Sequence, residues 1–477
     1  MTTTTSAETK SLFLTEDGQN VWFTFILVSS LFLLWGFCNG LIDVMDKHFQ
    51  DELGLTKSQS AWVQFAHYLG YFLMSIPAGW LATRLGYKGG IITGLLIVAA
   101  GGLWFIPATS ISEMAHAGAV SSPTAFVAFL AGVCLIATGL TFLETIANPY
   151  TTVLGDQRYA ATRINLAQSC NGIGWIFGPL VGSVYFYSTD AAGRSTGSQT
   201  LYVPYVAIAI VVLVLAAIFY VAYVPDIKTE DDYHIDDGAP GASPSIWSHP
   251  HFVFAVAAQF FYVAAQAGIF SFFINYMTAE VPPIPASWDA AMTALASRAG
   301  VLHDWLTGWF EIGRTGALAI SNKGASNLAA LGFVCFLVGR FTGAGLLKRY
   351  SAHRMLGLYA LLNVAATFLV FCTLGWLSVA CVFLSYFFVS IMFPTIFALG
   401  IFGLGTRAKR ASSFIVMAIV GGAILPKLMG FVADRFDMSR GFIVPMVCFG
   451  FVAAYALNWP RFSRVDSLQS APTVSGH

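Results

Sequence analysis

Charged residues are scarce in this sequence. Only 10% of its 477 residues are Asp, Glu, Lys or Arg, whereas 57% are hydrophobic, and the mean hydropathy is +0.70. Soluble domains carry about 25% charged residues, so this chain has too few to cover a surface in water. We therefore expect most of its surface to face a lipid bilayer. Lys plus Arg equals Asp plus Glu at 24 each, which gives no indication of a nucleic-acid partner.

Two other signals are missing from the sequence. The polar N-terminus MTTTTSAETKSLFLTEDGQN lacks the basic region and short apolar core of a signal peptide. The seven cysteines stand far apart in apolar segments, which is neither a disulfide framework nor a metal site. We therefore expect small buried thiols, no metal and no cofactor. These cysteines are Cys38, Cys134, Cys170, Cys335, Cys372, Cys381 and Cys448.

Long apolar runs, in contrast, are abundant. About 20 apolar residues span the hydrocarbon core of a bilayer, and in lipid a backbone must satisfy its own hydrogen bonds, as a helix does. The sequence therefore predicts an all-α integral membrane protein with twelve transmembrane helices. The twelve predicted spans are 22–46, 60–82, 89–109, 124–152, 163–187, 202–224, 251–277, 325–347, 354–374, 376–402, 412–432 and 441–459.

The hydrophilic stretches between these spans divide the chain into two halves. The acidic stretch DIKTEDDYHIDDGAPGASPS is rich in Gly, Pro and Ser, and it is typical of a solvated linker. A second break, 279–326, contains an amphipathic piece that predicts one or two short interfacial helices. The predicted units are a tail at 1–20, a six-helix half at 21–225, a linker at 226–248, a six-helix half at 249–460 and a tail at 461–477.

Basic residues predict the orientation in the membrane. Short cytoplasmic loops are rich in Lys and Arg, and the even-numbered loops hold basic clusters such as Lys409 with Arg410. The short odd-numbered loops hold fewer. Both termini are therefore expected in the cytoplasm, with the insert at 279–326 on the outer side.

Two carboxyl groups lie within apolar helices. A carboxylate at the bilayer centre costs about 2.5–3.5 kcal/mol on insertion scales, so Asp43 and Glu144 are candidate functional residues. Asn39 precedes Asp43 by one helical turn and Asn148 follows Glu144 by one turn, each on the same face. Two plainer interpretations stay open. Asp43 could mark the outer boundary of its helix, because further polar residues follow it, and Glu144 could be protonated structural glue.

Amide side chains mark two further helices. Asn165, Gln168 and Asn171 recur three apart in span five, beside a series of glycines that would let another helix approach closely. In span seven, Gln259, Tyr262, Gln266 and Phe270 fall on one stripe. Amides bond neighbouring hydroxyl groups and aromatic rings cover apolar C–H faces, which is how proteins bind sugars. A helix interface held by polar side chains explains the same stripe equally well.

Proline and glycine predict bends in the last spans. Pro394 in span ten is expected to break or bend its helix where a gate would move. Gly421, Gly422 and Pro426 serve the same purpose in span eleven.

Two six-helix halves joined by a long loop resemble the plan of the major facilitator superfamily, in which substrate binds between the halves near the midplane. Seven segments, in order, resemble the fucose–proton symporter branch of that superfamily, which includes glucose/galactose permeases. These segments are YFLMSIPAGWLATRLGYKGGIITG (71–94), FLETIANPYTTVLG (142–155), RINLAQSCNGIG (163–174), QFFYVAAQAGIFSFFINY (259–276), GRFTGAGLL (339–347), FPTIFALGI (393–401) and SSFIVMAIVGGAI (412–424).

The resemblance implies roles for particular residues. In that family, a span-one aspartate and a span-four glutamate face the central cavity and carry proton coupling and sugar binding, and Asp43 and Glu144 match them. The amide of N-L-A-Q in span five contacts sugar, and Gln168 matches it, with Asn165 nearby. Phe393 stands where the fucose members have a tyrosine, which predicts a pocket with fewer hydrogen-bonding groups.

A loop signature supports the same resemblance. GWLATRLGYKGG (79–90) is similar to the family's loop after span two, with Arg84 and Lys88 at its basic positions and Thr83 at its acidic one. After span eight, GRFTGAGLLKRYSAHR (339–354) again combines small residues with a basic cluster, beginning at Arg340. Both are expected on short cytoplasmic turns that belong to the gate.

The expected function is proton-coupled uptake of a monosaccharide such as L-fucose by alternating access. Burial favours the neutral form of a carboxyl group, so a proton taken up outside would permit sugar to bind and the halves to rock. The expected partners are a monosaccharide, a proton and the lipid bilayer, for a monomer in a bacterial inner membrane. The alternative is a sodium-coupled or uncoupled glucose/galactose-type carrier.

Two other classes of function are disfavoured. An intramembrane enzyme would need a catalytic constellation, and the sequence has no H-E-x-x-H or G-x-S-x-G motif. The histidines are expected mostly at helix ends or in loops. A transporter-like receptor would need a large signalling tail, whereas RFSRVDSLQSAPTVSGH is short.

Overall fold

A computed structural model describes most of the chain. The described residues are 13, 20–154, 160–187, 197–224, 245–298, 303–313, 316–347, 349–402, 404 and 408–463. Both predicted tails lie almost entirely outside them, as does most of the predicted linker, so their assignment stays a prediction.

The described residues of the first half of the chain are mostly helical. α3 contains two membrane-crossing segments, because Gly86 interrupts it with a left-handed, non-helical conformation (φ 69°, ψ 178°). This glycine makes the turn predicted between spans two and three. The helices are α1 (Trp22–Leu53), α2 (Lys57–Ser60), α3 (Trp62–His116), α4 (Ser122–Val153), α5 (Ala160–Tyr185), α6 (Gly197–Thr200) and α7 (Tyr202–Val221).

The second half is also helical, with one short hairpin. Its elements are α8 (Pro250–Ser271), α9 (Phe273–Ala279), α10 (Ala286–Ala296), α11 (His303–Leu306), β1 (Phe310–Ile312), β2 (Leu318–Ile320), α12 (Asn322–Leu347), α13 (Ala352–Phe371), α14 (Trp376–Val389), α15 (Met392–Ile401), α16 (Ala408–Met417), α17 (Gly421–Arg435), α18 (Met438–Gly441) and α19 (Ile443–Ser463). Short 3₁₀ turns at Ile246–Ser248 and Ala418–Val420 complete the helical structure.

The described helices account for the twelve predicted spans. Ten segments are long and apolar enough to cross a membrane. The other two crossings are the first part of α3 and the whole of α5, whose 26 residues extend about 39 Å at 1.5 Å per residue. The prediction of twelve helices is thereby confirmed.

The segment between spans seven and eight differs in part from its prediction. α10 and α11 are the expected short helices. The antiparallel hairpin of β1 and β2, with Glu311 opposite Ala319, was not predicted. Three-residue strands are too short for their alternation to stand out from an irregular loop.

Glycines bring α1 and α5 into close contact, as predicted. A Cβ atom on Gly178 would lie 2.6 Å from Gly40 Cα, and one on Gly182 would lie 2.6 Å from Val44 Cγ2. Real Cβ atoms do not approach other atoms so closely, so side chains larger than hydrogen would push these helices apart.

The predicted bends in spans ten and eleven are present. α14 ends at Val389 and α15 begins at Met392, so span ten breaks just before Pro394. This is where a proline removes a backbone hydrogen bond of the preceding turn. In span eleven, the 3₁₀ turn Ala418–Val420 separates α16 from α17, immediately before the paired glycines Gly421 and Gly422.

The halves meet where α5 packs on α12, α1 on α8, and both α2 and α3 on α17. We name the face at which α1 begins and α19 ends the terminal face. On the opposite face α1 ends, and the described residues between 279 and 326 lie there. We name it the insert face.

Candidate functional site

A small polar cavity of about 10 Å³, roughly the volume that holds one water molecule, lies between helices of the first half. Asp43 lines it and is 7% exposed. Gln64 Nε2 donates a hydrogen bond to Asp43 Oδ1 over 3.1 Å. We name it the first cavity. It is lined by Asn39, Ile42, Asp43, Gln64, His67, Tyr68 and Trp175.

Several polar atoms of the first cavity lack a hydrogen-bond partner. They are Asp43 Oδ2, Asn39 Oδ1 and His67 Nδ1. Buried polar groups are normally hydrogen-bonded, so this wall is suited to a ligand that supplies donors and acceptors of its own. Asn39 and Asp43 share the cavity, as their spacing of one turn predicted.

A second cavity of about 10 Å³ lies beside Glu144. Apart from this carboxyl group its wall is almost wholly apolar, so Glu144 lies in a very different environment from Asp43. We name it the second cavity. It is lined by Leu31, Phe32, Trp35, Leu143, Glu144 and Ala147.

The two carboxyl groups therefore line different cavities. The resemblance had implied that both face one central cavity. Two tyrosines of α3 lie between them. Tyr68 is within electrostatic range of both Asp43 and Glu144, and Tyr71 is within range of Glu144. The Tyr71 hydroxyl accepts a hydrogen bond from Trp35 Nε1 over 2.6 Å. A continuous row of side chains thus connects the two sites.

The amides predicted on α4 and α5 form a bridge between these helices. Asn148 Oδ1 accepts a hydrogen bond from Gln168 Nε2 over 3.0 Å, and Asn148 Nδ2 donates to the Glu144 carbonyl over 3.1 Å. The two side chains therefore hold each other in this state. The side chain of Asn165 lies outside the described residues.

The amide stripe of α8 is only partly free for a ligand. Gln259 is fully buried, and neither its Nε2 nor its Oε1 has a hydrogen-bond partner. The Tyr262 hydroxyl donates to the Val389 carbonyl over 3.1 Å, which ties α8 to α14. Phe270 stacks on Tyr386, with 4.3 Å between the ring centroids. Gln266 is half-buried. Both amide atoms of Gln259 are thus free to form hydrogen bonds with a ligand.

The basic residues of the loop motif occupy two different kinds of position. Arg84 is exposed and lies over the Trp80 ring, whereas Lys88 donates to the Ala222 carbonyl at the end of α7 over 2.9 Å. Both lie beside the predicted turn.

Arg340 belongs to the segment expected at the turn after span eight, but it lies before that turn, inside the predicted span 325–347. It lies within α12, half-buried, and its guanidinium group is 4.8 Å from the centroid of the Phe336 ring. It donates to the Gln168 carbonyl of the other half over 3.4 Å. The helix continues through the small residues of its motif to Leu347, because glycine in a membrane helix is compatible with close packing.

Several polar contacts join the halves at the insert face. Gln50 and Asn275 exchange hydrogen bonds through their amide groups. Asn322 Nδ2 donates to Asp51 Oδ2 over 2.6 Å. The carboxylate of Asp434 accepts from the backbone N–H groups of residues 57 and 58, over 3.0 and 2.8 Å. This face is closed in the structure.

Three buried polar residues of this region were missed in the sequence. Asp46 is one of the polar residues that follow Asp43 and that suggest an outer boundary of the helix. It is fully buried. Gln64 and His67, three residues apart in an otherwise apolar helix, both line the first cavity. Their spacing was a signal for one polar face. The expectation that histidines lie mostly at helix ends or in loops is wrong for His67.

Comparison with known proteins identifies the family. Residues 22–318 match the family model described as Major Facilitator Superfamily. The L-fucose-proton symporter of Escherichia coli (strain K12) is 34% identical over 450 residues, covering 91% of this chain and 92% of that protein. The glucose/galactose transporter of Brucella abortus biovar 1 is 31% identical over 445 residues, covering 93% and 95%.

Solved structures agree with this assignment. The crystal structure of FucP, described as a major facilitator transporter in the outward conformation, matches with a TM-score of 0.63 and 33% identity, covering 92% of this chain and 99% of that one. The crystal structure of the D-xylose-proton symporter, 13% identical with a TM-score of 0.64, shows the same fold. The chain belongs to the major facilitator superfamily, in the group that contains L-fucose-proton symporters and glucose/galactose transporters.

Proposed function

We propose that this protein is a secondary active transporter that takes up a monosaccharide together with a proton. The observation that carries the proposal is a pair of carboxyl groups, Asp43 buried and Glu144 partly buried, that line separate cavities, one polar and one apolar. A symporter must bind a sugar and a proton and must link their movements. Relatives named L-fucose-proton symporter and glucose/galactose transporter support this reading.

Asp43 is the proposed centre of sugar binding. Its free oxygen and the free Asn39 carbonyl oxygen face one cavity, where they can accept hydrogen bonds from adjacent hydroxyl groups. The Trp175 ring of the same wall can cover an apolar sugar face. From the other half, Gln259 has both amide atoms free. Closing around a sugar would give these buried groups the partners they lack.

Glu144 is the proposed coupling residue. An ionised carboxylate is costly in an apolar cavity, whereas a protonated one is tolerated. The halves would therefore rearrange readily only after Glu144 has taken up a proton. Tyr68, which lies between the two sites, offers a route by which a sugar at Asp43 can influence that proton.

The orientation and assembly are part of the proposal. Basic loop residues fit an orientation with both termini in the cytoplasm and the insert face outside. The proposed assembly is a monomer in a bacterial inner membrane. The structure would then correspond to a state closed to the outside.

Transport by purified protein in proteoliposomes tests the proposed function. An imposed pH gradient, acidic outside, should concentrate L-fucose, D-galactose or D-glucose inside, and sugar added without a gradient should alkalinise the outer medium. Replacing Na⁺ by K⁺ at constant pH should leave accumulation unchanged. Accumulation that follows Na⁺, or sugar that only equilibrates, would contradict proton symport.

A further inference from the structure

Asp46 is a second carboxyl group of α1 that the proposed transport cycle does not use. It follows Asp43 by three residues, nearer the insert face, and so lies close to the same side of the helix. Its side chain is 0% exposed, and neither carboxylate oxygen takes part in a hydrogen bond of ordinary geometry. The adjacent His48 faces elsewhere, since its ring packs against Phe186.

The surroundings of Asp46 come from both halves of the protein. Gln64 of α3 and Ser271 at the end of α8 lie nearest its carboxyl group as polar neighbours. The Ser271 hydroxyl is itself buried and without a hydrogen-bond partner. The titratable groups within electrostatic range of Asp46 are Asp43 on its own helix, Tyr68 on α3 and Tyr187 beyond α5.

Within the described part of the chain, the cations of the neighbouring elements have other contacts. Lys47 forms an ion pair with Asp51 over 2.7 Å, and Lys427 Nζ of α17 lies 3.6 Å from the centroid of the Trp62 ring. An ionised Asp46 would therefore be a buried charge without a counter-ion, which costs several kcal/mol. The closed arrangement fits the neutral, protonated acid.

The burial of Asp46 depends on the closed insert face. Gln50, one turn further along α1, exchanges hydrogen bonds with Asn275, and Ser271 lies one turn before Asn275 in the other half. When the halves separate at this face, these contacts are lost and water reaches the carboxyl group. Water stabilises the ionised form, so opening and proton release are linked.

We propose that Asp46 is a further proton-binding site, occupied whenever the insert face is closed. The proton comes from water at the insert face and returns there when the face reopens, so it controls the cycle without being carried across. The inference rests on the proposed function, in which the halves alternate. It adds a condition that Glu144 does not supply, because Asp46, unlike Glu144, lies close to the contact that Gln50 makes between the halves.

Sugar exchange at equal pH on both sides tests the proposal, in proteoliposomes that contain the Glu144→Gln protein. This background removes the titration of the coupling residue. Exchange should fall as pH rises, by up to about tenfold per pH unit above the titration midpoint. Adding Asp46→Asn should make exchange nearly independent of pH, whereas Asp46→Glu should restore the dependence. Adding the exposed control Glu113→Gln should change nothing.

Three outcomes would overturn the proposal. Exchange by Glu144→Gln could be independent of pH, the double variant could retain the full pH dependence, or Na⁺ replacement could abolish exchange at every pH. The last result would indicate a sodium site instead. If Asp46→Asn folds poorly, Asp46→Leu supplies a second neutral side chain for the same comparison.

Thermal unfolding in detergent gives a readout that does not depend on transport. A carboxyl group that is protonated when folded and ionised when unfolded stabilises the protein less as pH rises. The Tm of the wild type relative to Asp46→Asn should therefore fall as pH rises above the usual range of an aspartate carboxyl group. A constant difference would contradict the proposal even if transport is proton-coupled. Failure of gradient-driven accumulation alone would contradict only the proposed function.

Discussion

The first and second cavities are equally small, at about 10 Å³ each, but their walls differ in kind. The first places Asp43 among amides, a histidine and aromatic rings. The second places Glu144 among Leu, Phe, Trp and Ala side chains. A wall rich in donors and acceptors can hold a sugar, whereas an apolar wall discriminates only between a charged and a neutral acid. The difference separates substrate binding from coupling.

The largest expected effect is the loss of coupling in Glu144→Gln. Wild-type protein should accumulate sugar up to about tenfold per unit of pH gradient, for one proton per sugar. The variant should reach only equal concentrations on both sides while still exchanging labelled sugar, because a neutral amide permits movement of the halves. Uptake and counterflow in the same proteoliposomes measure both. Accumulation by Glu144→Gln against a gradient would remove the distinction between the two cavities.

The next effect is on affinity, through Asp43→Asn. Hydrogen bonds to charged groups contribute about 1.5–3 kcal/mol, so the Kd for sugar should rise by about 10- to 100-fold. Calorimetric titration with L-fucose, D-galactose and D-glucose measures this change. Glu144→Gln is the matched control and should retain binding. If it weakens binding as much as Asp43→Asn does, the two carboxyl groups act as one site.

A smaller effect is expected when the wall of the first cavity is displaced. Gly178→Val would insert a side chain where Gly40 Cα lies 2.6 Å from an added Cβ, and overpacking costs about 1–3 kcal/mol. The Tm should fall by several degrees and sugar affinity should fall with it, since Trp175 is on the same helix.

Gly450→Ala is the control for that substitution. An added Cβ at Gly450 meets nothing within 4 Å, so its Tm should stay constant or rise. An unchanged Tm in Gly178→Val would show that the spacing of α1 and α5 is adjustable.

The smallest effect concerns a carboxyl group outside both cavities and outside the membrane spans. Partial burial and then Asp51 raise the pKa of Glu311, while Lys47 opposes the shift. A raised pKa in the folded state means that stability is lost as pH rises above the usual glutamate value. Glu311→Gln should therefore gain Tm relative to wild type with rising pH, by about 1–2 °C. Unfolding scans across this range measure the difference; a gain at low pH instead would contradict it.

Much of the fold could be predicted from the sequence. Apolar length gave the helices, Pro394 located a break and Gly178 located a close helix contact. Hydropathy does not report how deep a residue lies once two halves close on each other. Asp46 lies near a helix end and next to Lys47, and it is buried by Ser271, more than 200 positions away. Arg340 lies in the predicted span 325–347, but hydropathy does not report its contact with the Gln168 carbonyl of the other half. The separation of Asp43 from Glu144 depends on helix rotation, which composition does not determine.

Asp434 holds the insert face closed through backbone N–H groups rather than side chains. A contact of this kind does not specify the identity of residues 57 and 58, apart from excluding proline. Natural variants should therefore change residue 58 freely while keeping an acid at 434 and a glycine at 430, where a Cβ would lie 2.9 Å from the residue-57 carbonyl carbon. Residue 57 should vary less, because the Lys57 ammonium group also donates to the Ala433 carbonyl over 3.3 Å.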